Sequence, residues 1–95
     1  MGGTIRCFND GKVLDLLEIS WKGSGITILQ CQDCNRKVTV PSILYTNILR
    51  GANFTHVFFS SETDLRTYLK DHKERFQFIG NSHSQISEDL WHLIF

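Results

Sequence analysis

The sequence lacks the segments that divide or anchor a chain. It has a single proline and no tract rich in serine, glutamine or glycine that would form a linker. No apolar run approaches the about 18 to 20 residues that a membrane-spanning helix requires. The first residues do not contain the apolar core of a secretion signal. We therefore expect one domain, residues 1–95, that lies in the cytoplasm and does not contact a membrane.

An excess of charge of either sign is also absent. Ten basic and ten acidic side chains cancel, so the formal net charge is +0. Proteins that bind nucleic acid without preference usually have a strongly basic surface, and proteins that imitate DNA have a strongly acidic one. The composition argues against both classes and leaves only local charged patches as binding surfaces.

Recognisable catalytic motifs are missing as well. The sequence contains no Gly-x-Ser-x-Gly turn, no phosphate loop ending in Gly-Lys-Ser or Gly-Lys-Thr, no His-Glu-x-x-His pair and no dinucleotide fingerprint. A domain of this size also seldom has room for both a hydrophobic core and an enclosed substrate pocket. The chain is therefore predicted not to be an enzyme.

Hydrophobic residues are abundant enough to build a folded core. They form 41% of the chain, and aromatic residues form 12%. Up to residue 40, runs of β-branched and aliphatic residues alternate with short turns, and Asp10-Gly11 is typical of a tight hairpin. This pattern predicts an antiparallel meander with strands at residues 4–8, 13–20, 25–30 and 37–40.

Beyond residue 40 the spacing of apolar residues becomes helical in places. We expect helices at residues 42–50, from Ser61 onward and from Ser87 onward, and strands at residues 55–59 and 76–79. The whole chain is therefore predicted to be an α+β domain. An antiparallel β-meander of about four to six strands would be packed on one face by two or three helices.

Three cysteines, an odd number, do not make the closed disulfide framework of a small secreted protein. Cys31 and Cys34 form a Cys-x-x-Cys turn between two strand-like runs, and the predicted meander brings Cys7 to the same end of the sheet. The stretch 31–40 resembles one half of a zinc ribbon, in which such a turn is followed by a small residue, a basic residue and a strand. The resemblance implies a structural zinc at Cys31 and Cys34, which Cys7 can join.

A zinc site needs a fourth ligand, and the second Cys-x-x-Cys of a zinc ribbon is absent from this sequence. The candidates, none with a diagnostic spacing, are His56, His72, His83, His92, Asp10 and Asp33. Without a metal, the cysteines are a reduced turn and a core side chain, and the protein has no cofactor. A redox role is a further interpretation, but redox Cys-x-x-Cys motifs usually begin a helix, and here the flanks are strand-like.

Two groups of basic residues are candidates for nucleic-acid contact. Arg36 and Lys37 follow the Cys-x-x-Cys turn, whereas Arg66, Lys70 and Lys73 form a stripe on a predicted helix. A zinc-containing module that binds nucleic acid through these side chains is the alternative function. A basic stripe is more often a solvated helix face, and the nearby acidic residues weaken the positive potential of this one.

The leading interpretation is a small non-catalytic protein that docks on a larger protein. Stand-alone chains of this size are most often inhibitors, immunity-type proteins, adaptors or regulatory proteins, and a phage or mobile element is one expected source. Aromatic residues often anchor such interfaces, although each can equally belong to the core. The candidates for the contact surface are Trp21, Tyr45, Phe54 and Trp91.

Overall fold

Two sheets and three helices build the part of the chain that the computed structural model describes, residues 2–19 and 25–95. The elements in chain order are β1 Thr4–Arg6, β2 Asp15–Ile19, β3 Ile26–Gln30, β4 Lys37–Pro41, α1 Ser42–Arg50, β5 Thr55–Phe59, α2 Glu62–Asp71, α3 Lys73–Phe76, β6 Ser82–Ser87 and β7 Leu90–Ile94. The predicted α+β class is confirmed. One sheet has the order β2-β3-β4, and the other has the order β1-β5-β7-β6.

The sheet β2-β3-β4 is an antiparallel meander, as the alternating pattern predicts. In β3, Thr27 and Leu29 are buried while their neighbours are less so, which is the two-residue period of a strand with one inner face. Leu29 pairs with Leu16 of β2 on one side and with Val38 of β4 on the other. β3 is therefore the central strand, and β2 and β4 are its edges.

The first strand does not join this meander. β1 pairs in parallel with β5, in the register Thr4↔Thr55, and a single bridge between Arg6 and Val13 is its link to the chain before β2. The reason is the burial of β5, whose residues 56–59 are all buried. A strand buried on both faces lies inside a sheet and needs a partner on each side, and β1 and β7 supply them.

The end of the chain is a hairpin, so the prediction of a helix from Ser87 is wrong. β6 and β7 pair antiparallel, and β7 also pairs with β5. The residues that suggested a helix start, Ser87, Glu88 and Asp89, lie at and between the two strands, where short polar residues also favour turns. Leu90 and Leu93 are buried, so packing rather than capping preference decides the conformation of β7.

The two longer helices are confirmed. Pro41 precedes α1, and the Ser61 hydroxyl accepts a hydrogen bond from the Asp64 backbone N–H at the start of α2. The strand expected at residues 76–79 is wrong, because Phe76 ends α3 and packs beside the second core cluster. In the described ranges no helix has the length and apolar character needed to span a membrane.

The core lies on both faces of β5. Phe58 belongs to one cluster, together with Ile5, Leu29, Val40, Ile48 and Leu90. Val57 and Phe59 belong to the other, together with Leu65, Tyr68 and Leu93. The sheet that contains β5 is therefore a middle layer: the meander and α1 cover one face, and α2 covers the other.

Candidate metal centre

Two turns with the same backbone geometry face each other at one end of the molecule. In the first, the Cys7 N–H donates to the Lys12 carbonyl, and the Gly11 N–H donates to the Cys7 carbonyl. In the second, the Cys31 N–H donates to the Arg36 carbonyl, and the Asn35 N–H donates to the Cys31 carbonyl. We call them the first turn, residues 7–12, and the second turn, residues 31–36.

The fifth residue of each turn has a left-handed backbone. Gly11 has a φ of 75°, and Asn35 has a φ of 59°. Glycine and asparagine are the residues that adopt this conformation most readily, because most side chains clash with the backbone there. The sequences Cys7-x-x-Asp10-Gly11-Lys12 and Cys31-x-x-Cys34-Asn35-Arg36 therefore specify the same turn with different ligands.

The four side chains at the matching positions meet in one cluster. One sulfur or carboxylate oxygen from each of Cys7, Asp10, Cys31 and Cys34 lies within 4.8 Å of all the others. The Sγ atoms of Cys7 and Cys34 are 3.6 Å apart, and the Cys31 Sγ is 3.1 Å from an Asp10 carboxylate oxygen. These residues lie close enough to hold a metal ion.

The donor set suits zinc. Zinc in structural sites is tetrahedral, and with Zn–S bonds of about 2.3 Å two sulfur ligands lie about 3.8 Å apart. The 3.6 Å separation of Cys7 and Cys34 is close to that value. Soft thiolates favour zinc over magnesium or calcium, which prefer oxygen ligands.

Asp10 is oriented toward the cluster by its own turn. One carboxylate oxygen accepts a hydrogen bond from the Lys12 backbone N–H at 3.0 Å, and the other accepts from the Cys31 thiol. The hydrogen bond from Lys12, and then that from Cys31, lower the pKa of Asp10. The carboxylate is thus held in its charged form with one oxygen directed at the sulfurs, as a metal ligand requires.

The three thiols differ in their electrostatic surroundings. Burial raises the pKa of Cys7 to about 12. The Cys34 backbone N–H favours the Cys31 thiolate, but burial and the hydrogen bond to Asp10 outweigh it, so the pKa of Cys31 is raised. The Arg36 backbone N–H lowers the pKa of Cys34. A bound metal ion would supply the positive charge that stabilises all three thiolates.

Basic side chains surround the two turns. Lys12 of the first turn forms an ion pair with Asp33 of the second. The Arg6 guanidinium donates to the Gly11 carbonyl at 2.8 Å, and the Arg36 guanidinium lies 4.6 Å from the centre of the Phe8 ring. Arg6 and Arg36 would offset part of the negative charge that three thiolates and a carboxylate bring to a metal-loaded site.

The structure brings together Cys7, Cys31 and Cys34, the residues predicted from the sequence. It selects Asp10 from the six candidates for the fourth ligand. The signal was the repeated spacing: Asp10 stands three residues after Cys7, as Cys34 stands three residues after Cys31, and each is followed by a residue suited to a left-handed backbone. A search for a second pair of cysteines misses this repeat.

The other candidate ligands lie elsewhere. His56 and His92 are buried together in the core with ring nitrogens 2.8 Å apart. His72 interacts with the Tyr68 carbonyl, and His83 is exposed on β6. Asp33 is in the second turn but pairs with Lys12. Among the described residues, the cluster around Asp10 is the group of metal-ligating side chains that the geometry favours.

The basic residues predicted from the sequence form separate groups. Arg36 and Lys37 are exposed and line one pocket with Arg6, beside the metal cluster. On α2, Arg66 donates to Glu62 at 2.8 Å, so part of its charge is neutralised. Lys70 is exposed on α2 and Lys73 on α3. These two border a different depression, which also includes Asp71 and Glu74.

The predicted interface aromatics have different environments. Phe54 is 52% exposed, whereas Tyr45 and Trp91 are half-buried against the two core clusters. Trp21 lies outside the described residues. Among the three described members of the set, Phe54 is thus the one whose exposure suits an interface.

Comparisons with protein-family models, curated proteins and solved structures give no significant match. The function proposed for this chain therefore depends on the geometry of its own residues.

Proposed function

We propose that this chain is a zinc-stabilised domain that acts by binding a larger protein, without catalysis. The observation that carries the proposal is the meeting of four ligand atoms, within 4.8 Å, from two turns of matching geometry. The metal would be held by Cys7, Asp10, Cys31 and Cys34. Its chemical role is to neutralise the thiolates and to fasten the two turns to each other.

The ligand set supports a structural rather than a catalytic metal. Catalytic zinc usually has three protein ligands and one open position for water or substrate, whereas structural zinc has four protein ligands. Here the described residues supply four. A zinc ion bound by all of them has no vacant tetrahedral position at which to activate water.

Exposed apolar side chains support a protein partner. Leu16 and Leu17 of the edge strand β2 are 49% and 52% exposed, and Val13 just before it is 52% exposed. An edge strand has unpaired backbone groups and can add a strand from another protein. Apolar side chains on both faces of such an edge favour a protein ligand over a polyanion.

Nucleic-acid binding has weaker support. The net charge is +0, and the basic stripe on α2 includes Arg66, which is paired with Glu62. Nucleic-acid binding usually depends on several unpaired Lys and Arg side chains that contact phosphates. A strongly salt-dependent complex with RNA or DNA, weakened when Lys70 and Lys73 become Glu, would favour this alternative.

The metal part of the proposal is tested by metal analysis. The purified protein is expected to contain close to one zinc per chain by inductively coupled plasma mass spectrometry, and chelation is expected to lower its melting temperature. A Cys34→Ser variant should lose the zinc. A protein that contains no metal after expression with zinc, and whose melting temperature is unchanged by chelation, contradicts the proposal.

The binding part is tested with the zinc-loaded chain. Crosslinking in the native host, followed by reconstitution from purified components, should give a complex of defined stoichiometry with one protein. Leu17→Lys should weaken the complex, whereas Ile43→Lys on α1, also at an exposed position, should not. Turnover of a small molecule by the purified protein contradicts a non-catalytic role.

A further inference from the structure

A pocket beside the metal cluster has a basic rim and an apolar floor. The rim consists of Arg6, Arg36 and Lys37, and the floor consists of Leu14, Val38 and Phe58. Its volume is about 200 Å³. Pockets for drug-sized molecules measure about 300 to 1,000 Å³, so this pocket has room for one side chain rather than a whole cofactor.

The rim of the pocket carries three positive charges. Arg6, Arg36 and Lys37 are exposed, and none of them forms an ion pair with a residue in the ranges 2–19 and 25–95. The described residues that line the pocket include no Asp or Glu. A loaded metal centre would carry residual negative charge, but Cys7, the candidate ligand that lines the pocket, is only 3% exposed. An anion at the mouth therefore meets the cations first.

The floor suits an aliphatic side chain better than a nucleic-acid base. Bases bind by stacking on free aromatic faces. Phe58 is buried, and its ring stacks on the His92 ring at 4.5 Å. The Phe8 ring, which also lines the pocket, is covered by the Arg36 guanidinium. The remaining floor residues, Leu14 and Val38, are aliphatic and half-buried.

The metal cluster fixes the two halves of the rim. Arg6 precedes the first turn, whereas Arg36 and Lys37 end the second turn and begin β4. Within the turns, the ligands join these two parts of the chain directly. The distance between the basic side chains therefore depends on the same contacts that hold the metal.

We propose that this pocket binds an acidic, apolar peptide segment of the partner protein. An aliphatic side chain of the segment occupies the apolar floor, and an adjacent carboxylate pairs with the basic rim. This inference rests on the proposed function and specifies the chemistry of its partner. Paired recognition of an apolar side chain and a carboxylate fits the pocket's volume, its lining and the sign of its charge.

The test is an NMR titration of the ¹⁵N-labelled, zinc-loaded full chain. The probes are the blocked tripeptide Asp-Leu-Asp, its neutral counterpart Asn-Leu-Asn, its counterpart without an apolar side chain, Asp-Gly-Asp, and a short oligo(dT). The acidic leucine peptide should shift the amides of residues 6, 14 and 36–38, and both other peptides should bind at least about tenfold more weakly, because each lacks one of the two contacts. Stronger binding of oligo(dT) at these amides, or equal binding of the three peptides, overturns the proposal.

Substitutions test the assignment of the rim. Arg36→Gln and Lys37→Gln should each weaken Asp-Leu-Asp binding about tenfold, as expected for the loss of one charge-assisted contact. Arg50→Gln, which removes the same charge from the end of α1, is the matched control and should leave the affinity unchanged. Equal weakening by Arg50→Gln would show a general charge effect and overturn the proposal.

Failure of this inference can be separated from failure of the proposed function. If the peptides leave the pocket amides unmoved while the protein still contains zinc and still forms its stoichiometric complex, the pocket proposal alone is wrong. If the protein contains no metal and forms no protein complex, the proposed function itself is wrong.

Discussion

Asp10 is the residue on which the proposed metal centre depends most directly. It occupies the position in the first turn that Cys34 occupies in the second, and its carboxylate is fixed by the Lys12 backbone N–H. A carboxylate oxygen is a harder ligand for zinc than a thiolate sulfur, but it can occupy the fourth position of the tetrahedron. The proposed centre would thus have three cysteine ligands and, as its fourth ligand, a carboxylate oriented by a backbone N–H.

We expect Asp10→Ala to lower zinc affinity by more than about 100-fold. Mutation of a residue that only hydrogen-bonds to a metal ligand typically lowers metal affinity about 10- to 100-fold, and loss of a ligand itself should cost more. Asp33→Ala is the matched control: it removes a carboxylate from the second turn that pairs with Lys12 on the surface. It should change affinity little. Competition with a chromophoric chelator measures the zinc affinity of both variants. An equal loss of affinity in the two variants would contradict the assignment of Asp10.

The left-handed residues make a second prediction at this scale. Gly11 has a φ of 75° with nothing near the position of an added Cβ, so Gly11→Ala should cost about 1 to 2 kcal/mol of stability through backbone strain alone. Asn35→Gly keeps a residue that tolerates this backbone and should change stability by less than about 0.5 kcal/mol. Urea denaturation of the zinc-loaded proteins distinguishes the two. A Gly11→Ala variant as stable as the parent would contradict the role of the turn.

The site could be predicted from sequence only in part. The cysteines are recognisable because few kinds of site contain a Cys-x-x-Cys turn between strands. They correctly predicted the end of the sheet at which the cluster lies. Asp10 was not separated from the five other candidates, because a lone carboxylate has many surface roles and the repeated spacing is recognisable only when a carboxylate is allowed in the place of a thiol. The basic pocket depends on β1 and β4 approaching each other in space, and no local pattern encodes that approach.

At the scale of elements, local signals were sufficient where one strand or helix follows the next. The β2-β3-β4 meander and α1 were predictable because hairpins and caps are encoded by neighbouring residues. The partner of β1 was not, since parallel pairing with β5 joins residues far apart in sequence. The β6-β7 hairpin was mistaken for a helix because Ser87, Glu88 and Asp89 satisfy both a helix start and a turn.

The strands β5 and β7 share a buried histidine pair that makes stability depend on pH. Burial, followed by the nearby His56, lowers the pKa of His92 from 6.5 to about 4. Between pH 4 and pH 6.5, His92 therefore binds a proton in the unfolded chain and stays neutral in the folded chain. The stabilisation is complete above pH 6.5 and is lost as the pH falls toward 4.

We expect this histidine to account for about 3 kcal/mol of lost stability between neutral pH and pH 4. His92→Gln removes the titrating group, so the variant's stability should fall less steeply over the same range. Both proteins keep the four candidate metal ligands, so the pH dependence of the proposed metal site cancels in the difference. Urea denaturation at a series of pH values measures the free energy of unfolding of each protein. Parallel curves of this free energy against pH would contradict the prediction.

At the scale of the whole molecule, the cluster of four candidate metal ligands joins the two sheets. The first turn comes directly after β1, which belongs to the sheet with β5, and the second turn connects β3 and β4 of the meander. The core cluster around Val57, Phe59 and Leu93 packs under α2 and contacts the first turn through the Phe8 ring. Its buried members come from β5, α2 and β7, which are far from both turns in the chain. Removal of metal should therefore loosen the two turns and β2 before it loosens β5 and β7.

Hydrogen exchange after chelation tests this division. Amide protection should fall in residues 7–12 and 31–36 and in β2, while the amides of β5 and β7 keep most of their protection. Mass spectrometry of peptide fragments provides the resolution required. Uniform loss of protection across both sheets would indicate one cooperative unit and contradict the prediction. The zinc-loaded protein is the reference.

The parallel pairing of β1 with β5 has a consequence for how the chain folds during its synthesis. The register Thr4↔Thr55 means that β1, apart from its bridge to Val13, lacks its strand partner β5 until residue 55 and those after it have been made. Both turns of the metal centre, in contrast, are complete once residue 36 has emerged. Contacts between nearby residues close faster than distant ones. Metal captured at this early stage would hold the end of β1 beside the meander and shorten the search that β5 must complete when it leaves the ribosome.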